Sequence, residues 1–222
     1  FETQPPYNGR GADPDMEKGV TIPEQAKIDQ KNSSVSTKEL KKHYSKFQGA
    51  LKVVDQAVNI IRESLQEAGV EENTILVFNT DHGHEIPGSR PNPPRAKWSM
   101  YDSGIGIAFV VHWPEGGIKG GREVDALLSN VDWLPTLADL VGFETKHQVD
   151  GISFAKTLQG LSTDTESREE LGASFIYGGR YCIRTKEYKL IRNFNTGSVQ
   201  LYDLEKDPLE ENNVIEKMEY AE

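Results

Sequence analysis

An α/β fold is what the succession of patterns along this chain predicts. A long amphipathic helix, an apolar strand run, a polar loop, a second apolar run and a capped helix follow one another, which is the rhythm of an open α/β sheet. Sites in such sheets lie at the carboxyl ends of strands. After about residue 160 the pattern changes to short alternating strands separated by turn residues, an antiparallel meander. The expected organisation is therefore an α/β domain over residues 1–160 and a small antiparallel-sheet subdomain over residues 161–222.

Taken in order, residues 1–35 are rich in Pro, Gly, Asn and charge, have no sustained period, and read as a long irregular loop. Ser36 and Glu39 then have capping-box spacing, and Gly69 is a natural stop. Between them Tyr44, Phe47, Leu51, Val54, Val58, Ile61 and Leu65 recur at steps of three and four, giving one helix of about nine turns. That stripe reads as core packing, and Lys41 and Lys42 as part of a solvated face. Residues 74–80 form an almost unbroken apolar and β-branched run, the pattern of a strand covered on both faces as in a parallel sheet. Residues 107–111 form a second run, ending at His112-Trp113-Pro114. Asp132 is placed to cap a helix running through Leu137 and Leu140 to Gly142, with Pro135 tolerated in its first turn. Strands are expected over residues 173–177, 181–185, 188–194 and 199–204, divided by Gly178-Gly179, Lys186-Glu187 and Asn195-Thr196-Gly197.

Composition narrows the class. Hydrophobic residues make up 36% and charged residues 27% of the 222, as in a chain with a real core. The net charge of −10 excludes a general nucleic-acid binder, which carries a basic face, but a local pocket of cations can still hold an anionic substrate. No apolar run approaches the roughly 20 residues that span a bilayer, so no membrane partner is expected. Cys182 is the single cysteine, set in an alternating stretch, and reads as a buried strand thiol. The chain begins at Phe1 without an initiator Met or a signal peptide, so a processed or longer parent is expected.

Chemistry concentrates between Asp81 and Lys97. Asp81-His82-Gly83 follows the first strand run directly, so a carboxylate and an imidazole can point into a crevice. Gly83 would let the backbone turn away sharply. Asp and His together suit Ca²⁺, Zn²⁺ or Mn²⁺, although two ligands are too few, and a turn with a helix-capping Asp fits the tripeptide equally. Arg90, Arg95 and Lys97 follow. Cations beside a metal are what a tetrahedral oxyanion substrate requires; three basic residues keeping a Pro-rich loop soluble is the other reading.

Residues 74–83 followed by Lys97-Trp98-Ser99-Met100-Tyr101-Asp102-Ser103-Gly104 resemble the second metal-binding strand and loop of sulfatases in the alkaline phosphatase superfamily. Residues 124–137, Asp150-Gly151, residues 184–191, residues 201–204 and the Asp207-Pro208 turn resemble later landmarks of that family, so the likeness runs from about Lys38 onward. Residues 86–97 look most like the heparan N-sulfatase (sulfamidase) branch. The resemblance implies part of an alkaline-phosphatase-like mixed sheet flanked by helices, with a small C-terminal antiparallel β subdomain. It implies that Asp81 and His82 are two ligands of one divalent cation, Ca²⁺ in most sulfatases, completed by ligands outside this chain. Lys97 would contact sulfate or sulfamate oxygens as the catalytic cation; Arg95 is a neighbour, and His84 is structural or substrate-facing. His43, His112 and His147 match no catalytic position.

Two departures accompany the likeness. The family's Cys/Ser-x-Pro-x-Arg motif, whose Cys or Ser becomes the formylglycine nucleophile, is absent, as are its paired N-terminal aspartates. Gln4 in Phe1-Glu2-Thr3-Gln4 stands where related enzymes often carry a His; Gln can hydrogen-bond a substrate oxygen but cannot protonate a leaving group near neutral pH. The expected function is hydrolysis of sulfate esters or N-sulfated sugars by a longer protein, with these residues as its C-terminal half and inactive alone. The missing half, or another chain, would cover the cut sheet. The family suggests a secreted, periplasmic or lysosomal location. A phosphodiester or phosphonate hydrolase of the same superfamily, and a non-catalytic remnant acting as a binding module, are the alternatives.

Overall fold

The computed structural model of the chain describes residues 20–31, 34–84, 95–162 and 168–217. They fall into two units, one made of the described parts of Phe1–Gly69, Thr80–Ala108 and Phe175–Arg180, the other of Val70–Asn79, Phe109–Ser174 and Tyr181–Glu222.

In the first unit, helix α1 (Glu24–Lys31) lies inside the stretch expected to be irregular. Its eight residues are too few for a helical period to stand out, and its cues are local: Pro23 at the entry, Glu24 in the first turn and Lys31 in the last. Burial holds it, since Ile22 and Ala26 pack with Leu40, Tyr44 and Ala96. Helix α2 (Thr37–Glu67) begins with the expected capping box. The Glu39 amide donates to Ser36 Oγ at 3.2 Å and the Ser36 amide to the Glu39 carboxylate at 2.9 Å. Gly69 follows its end in the left-handed region at φ 68°. The apolar stripe of α2 is core only near its start. Leu40 and Tyr44 are buried, whereas Leu51 and Ile61 of the stripe are 39% and 50% exposed, so the expectation of core packing along the whole stripe is corrected. A single turn, α3 (Asp102–Ile105), and a 3-10 turn over Ile176–Gly178 also belong to this unit.

In the second unit, β1 (Leu76–Asn79) pairs with β2 (Phe109–His112) antiparallel, in the register Leu76↔His112 to Asn79↔Phe109. Between these two strands the sheet is antiparallel, whereas the unbroken apolar run suggested a strand covered on both faces, as in a parallel sheet. A parallel partner needs a crossover that carries the chain back to the strand's starting end. Here the excursion leaves after Asn79 and returns at Phe109, its ladder partner, at the same end. Nor is the strand covered on both faces: Leu76, Val77 and Phe78 are half-buried. An apolar run records burial tendency and carries no information on strand direction.

Helix α4 (Trp133–Val141) ends at Gly142 with φ 69°, and α5 (Ala155–Gln159) follows it. Ile118, Leu140 and Ala155 form their core with Val111, Trp113, Trp133 and Leu158 against it. Asp132 does not cap α4 with its side chain. A short 3-10 turn precedes the helix, and the carboxylate instead accepts from the Ser129 amide, the Ile152 amide and the Arg168 guanidinium, at 2.6–3.1 Å.

The C-terminal strands β3 (Leu171–Phe175), β4 (Arg180–Arg184), β5 (Tyr188–Asn193) and β6 (Val199–Asp203) form one sheet in that order. Strands β5 and β6 are antiparallel, from Tyr188↔Asp203 to Arg192↔Val199, and Gly197 takes a φ of 73° in the turn between them. Cys182 is the expected buried strand thiol. Asp207 closes the final turn by accepting from the Glu211 and Asn212 amides at 3.0 and 2.6 Å. The observed class is mixed α/β with an antiparallel C-terminal sheet.

Candidate metal and anion site

Residues 80–84 and 103–108 run side by side. The Thr80 amide donates to Ala108 O at 3.1 Å, and the Ala108 amide to Thr80 Oγ1 at 2.9 Å. Further along, the Gly83 amide donates to Gly104 O and the His84 amide to Ser103 O, both at 2.9 Å. The register slips by one residue between Thr80/Ala108 and Gly83/Gly104, as at a β-bulge, a device that re-aims side chains.

Gly83 serves close approach rather than a left-handed turn. A Cβ there would sit 2.0 Å from Ser103 O, and one on Gly104 would sit 2.3 Å from Ala96 O. Two glycines thus let three backbone segments meet. The third enters through the Lys97 amide, which donates to His84 O at 2.8 Å.

This frame positions the residues singled out from the sequence. Asp81 is exposed, and its Oδ1 lies 3.5 Å from Nε2 of the half-buried His82. His82 Nδ1 is 2.7 Å from Gly83 O, which can only accept, so the neutral imidazole places its proton on Nδ1 and its lone pair on Nε2. With metal–ligand distances of about 2.3–2.6 Å, two ligand atoms of one Ca²⁺ sit about 3–4 Å apart. The pair therefore fits a divalent cation as two of its ligands. Among the described residues, no group of three His, Cys, Asp or Glu side chains stands in ligand geometry.

Lys97 is half-buried, with Nζ 5.4 Å from the centroid of the Trp98 ring. Arg95 is buried, and its guanidinium stacks 4.2 Å over Tyr101. Its carbonyl accepts from Ser103 Oγ, so both ends of Arg95 engage the loop itself. His84 contributes its backbone to the frame from a half-buried position. His43 is buried on α2 with its ring edge-on to Tyr44, His112 is half-buried and His147 exposed. Gln4 and Arg90 lie outside the described residues. Trp98, Phe175, Tyr177 and Arg180 carry no role that the sequence alone assigns. The adjacent Gly178-Gly179 after two aromatics is the signal that could have marked them.

Two family descriptions match. "Sulfatase" covers residues 5–143, and "N-sulphoglucosamine sulphohydrolase, C-terminal" covers residues 96–222. The chain belongs to the sulfatase family. An N-acetylglucosamine-6-O-sulfatase of Bacteroides thetaiotaomicron is 27% identical over 90% of this chain and 37% of its own length. A protein solved in complex with its substrate D-glucosamine-2-N,6-O-disulfate superposes with a TM-score of 0.71 at 25% identity, over 89% of this chain and 42% of that one. The phosphonate monoester hydrolase of Agrobacterium radiobacter shares the fold, with a TM-score of 0.66 and 24% identity over 85% of this chain and 40% of its own. These neighbours bear out the alkaline-phosphatase-like α/β class expected from the sequence. The chain spans 37% and 43% of the length of two curated relatives it matches, the latter an ulvan-active sulfatase of Formosa agariphila.

Proposed function

We propose that this chain supplies the cation-holding and sulfate-holding side of a hydrolase of sulfate esters or N-sulfated sugars. The observation that carries the reading is the three-segment frame, in which the backbone bonds of Gly83, His84 and Lys97 tie Asp81 and His82 to the segment bearing the cationic side chain. Asp81 and His82 are two ligands of one Ca²⁺, the others coming from outside residues 1–222. The cation, when bound, supplies fixed positive charge for sulfate oxygens. Lys97 supplies the second positive charge and holds a non-bridging oxygen as negative charge builds on it in the transition state. Arg95, already stacked on Tyr101, shapes the loop that carries Lys97, while His84 and Gln4 are substrate-facing candidates. The nucleophile, a formylglycine in this family's pattern, belongs outside these residues, as does the segment or chain that covers the cut sheet.

Two measurements test this. Purified 1–222 is expected to release no sulfate from an aryl sulfate or glucosamine N-sulfate; turnover above a Lys97→Ala control overturns the division of labour. In the intact protein, Lys97→Ala is expected to lower kcat about 100-fold or more, as loss of a transition-state donor does. The fold shared with a phosphonate monoester hydrolase favours one second reading, a phosphonate or phosphodiester substrate. Metal analysis of the intact protein separates them: one Ca²⁺ supports the sulfatase reading, and two Zn²⁺ or Mn²⁺ the phosphoesterase one.

A further inference from the structure

Trp98, directly after Lys97, is a bulky residue held in the left-handed region, at φ 78°. L-residues with large side chains avoid that region, and such conformations persist where the surroundings enforce them and cluster at ligand sites. Here three partners enforce it. The Trp98 ring packs on Phe175 with centroids 5.1 Å apart, its carbonyl accepts from Arg180 Nη1 at 3.0 Å, and Lys97 Nζ stands 5.4 Å from its ring centroid. The residue is nevertheless 36% exposed. All of these residues belong to the first unit.

The turn after Phe175 is built to the same end. A Cβ on Gly178 would lie 2.5 Å from Phe175 Cδ1, so glycine is what lets the Phe175 ring lie across the turn and reach Trp98. Gly179, with φ 59°, then returns the chain into β4. At the tip, Tyr177 is 96% and Ile176 72% exposed, and the Tyr177 ring stands 6.4 Å from Phe175. Phe175 therefore links two exposed aromatic residues; Lys97 stands by the ring of the first, and Arg180 donates to its backbone carbonyl. An exposed aromatic group beside cations suits a ligand with an apolar face and a negative edge.

A sulfated pyranose is such a ligand, having a C–H face and an anionic substituent. We propose that Trp98 and Tyr177 form an aromatic platform that receives the sugar ring carrying the sulfate group, and so discriminate saccharides from other sulfate esters. This rests on the sulfatase reading above and deepens it by naming the side chains that hold the leaving group.

Steady-state kinetics on the intact protein with glucosamine N-sulfate and N-acetylglucosamine 6-sulfate, and with inorganic sulfate as competitive inhibitor, test it. Tyr177→Ala and Trp98→Ala are each expected to raise KM for the turned-over sugar about three- to tenfold, the loss falling on KM rather than kcat. The inhibition constant of sulfate is expected to stay unchanged, and Trp98→Phe to recover most of the effect. Because Tyr177 is almost fully exposed, its variant folds even where Trp98→Ala does not. An unchanged KM in Tyr177→Ala, or sulfate inhibition weakening in step with KM, overturns the platform while leaving the sulfatase reading intact. Absence of turnover of both sugars and of an aryl sulfate by the wild-type intact protein overturns the sulfatase reading itself.

Discussion

Asp132 carries its charge at a position with 1% exposure, where burial alone pushes a carboxyl pKa up. The Arg168 guanidinium and the Ile152 and Ser129 amides outweigh that push, so the carboxyl titrates below its ordinary value. A depressed folded-state pKa means stability that is fully present above the unfolded value, about 3.9 for Asp, and lost as pH falls from there through the folded value. Asp132→Asn keeps the shape and removes the charge. It is expected to cost about 3 kcal/mol near pH 7, the low end for breaking a buried pair, because Arg168 retains contact with water. The difference from wild type is expected to shrink as pH drops below about 4. Urea unfolding of both proteins across that range checks it, and a difference independent of pH would mean the carboxylate is not the charged partner. From the sequence Asp132 read as a helix cap, because a cap is a local signal, whereas Arg168 acts from 36 residues away. The Asp81–His82 pair stood out because its two side chains are adjacent, yet local sequence left a metal pair and a capping turn equally open, and only the family resemblance favoured the metal. Trp98's left-handed backbone was not legible, since it is imposed by partners on a distant turn.

The 80–108 excursion depends on glycine at the element scale. Gly83→Ala places a methyl group against the Ser103 carbonyl, a backbone atom that cannot rotate aside. The expected result is a loss of about 2–3 kcal/mol and of hydrogen-exchange protection at the His84 and Lys97 amides, which depend on the same close approach. Gly142→Ala is the control. That glycine has φ 69° and nothing within 4 Å, so only the left-handed penalty of about 1 kcal/mol applies and those amides keep their protection. Equal losses of protection in both variants would refute the close-approach argument. Elements defined by neighbours in sequence were readable: the α2 start from Ser36 and Glu39, the α4 end from Gly142, and the β5–β6 turn from Gly197. Helix α1 was not, because eight residues hold too little periodicity, and the direction of β2 was not, because pairing depends on which end the excursion returns to.

At the scale of the whole molecule, apolar exposure and net charge pull in opposite directions. On α2, Leu51, Ile60 and Ile61 stand in solvent; in the second unit so do Leu134 and Val141 of α4, Phe143 beyond it, Ile183 of β4, and Phe194 just after β5. Single exposed apolar side chains are ordinary, and Leu51 and Ile60 stand on opposite sides of α2, but the neighbouring Ile60 and Ile61 add apolar area that association would bury. The charge of −10 resists self-association at low salt, and that resistance is screened beyond a Debye length of about 8 Å at physiological ionic strength. Purified 1–222 is therefore expected to bind the hydrophobic dye ANS in its folded state and to pass from monomer to larger species as salt rises from about 0.01 to 0.5 M, where the Debye length falls from about 30 Å to below 8 Å. Light scattering coupled to gel filtration reads the mass, and near-UV circular dichroism confirms that packing is retained. Replacing Ile60 and Ile61 by Lys, on a helix face already in water, is expected to lower the association without loss of the helix signal. A monomer at every salt concentration that leaves the dye dark would show that these surfaces are tolerated in water and need no covering chain.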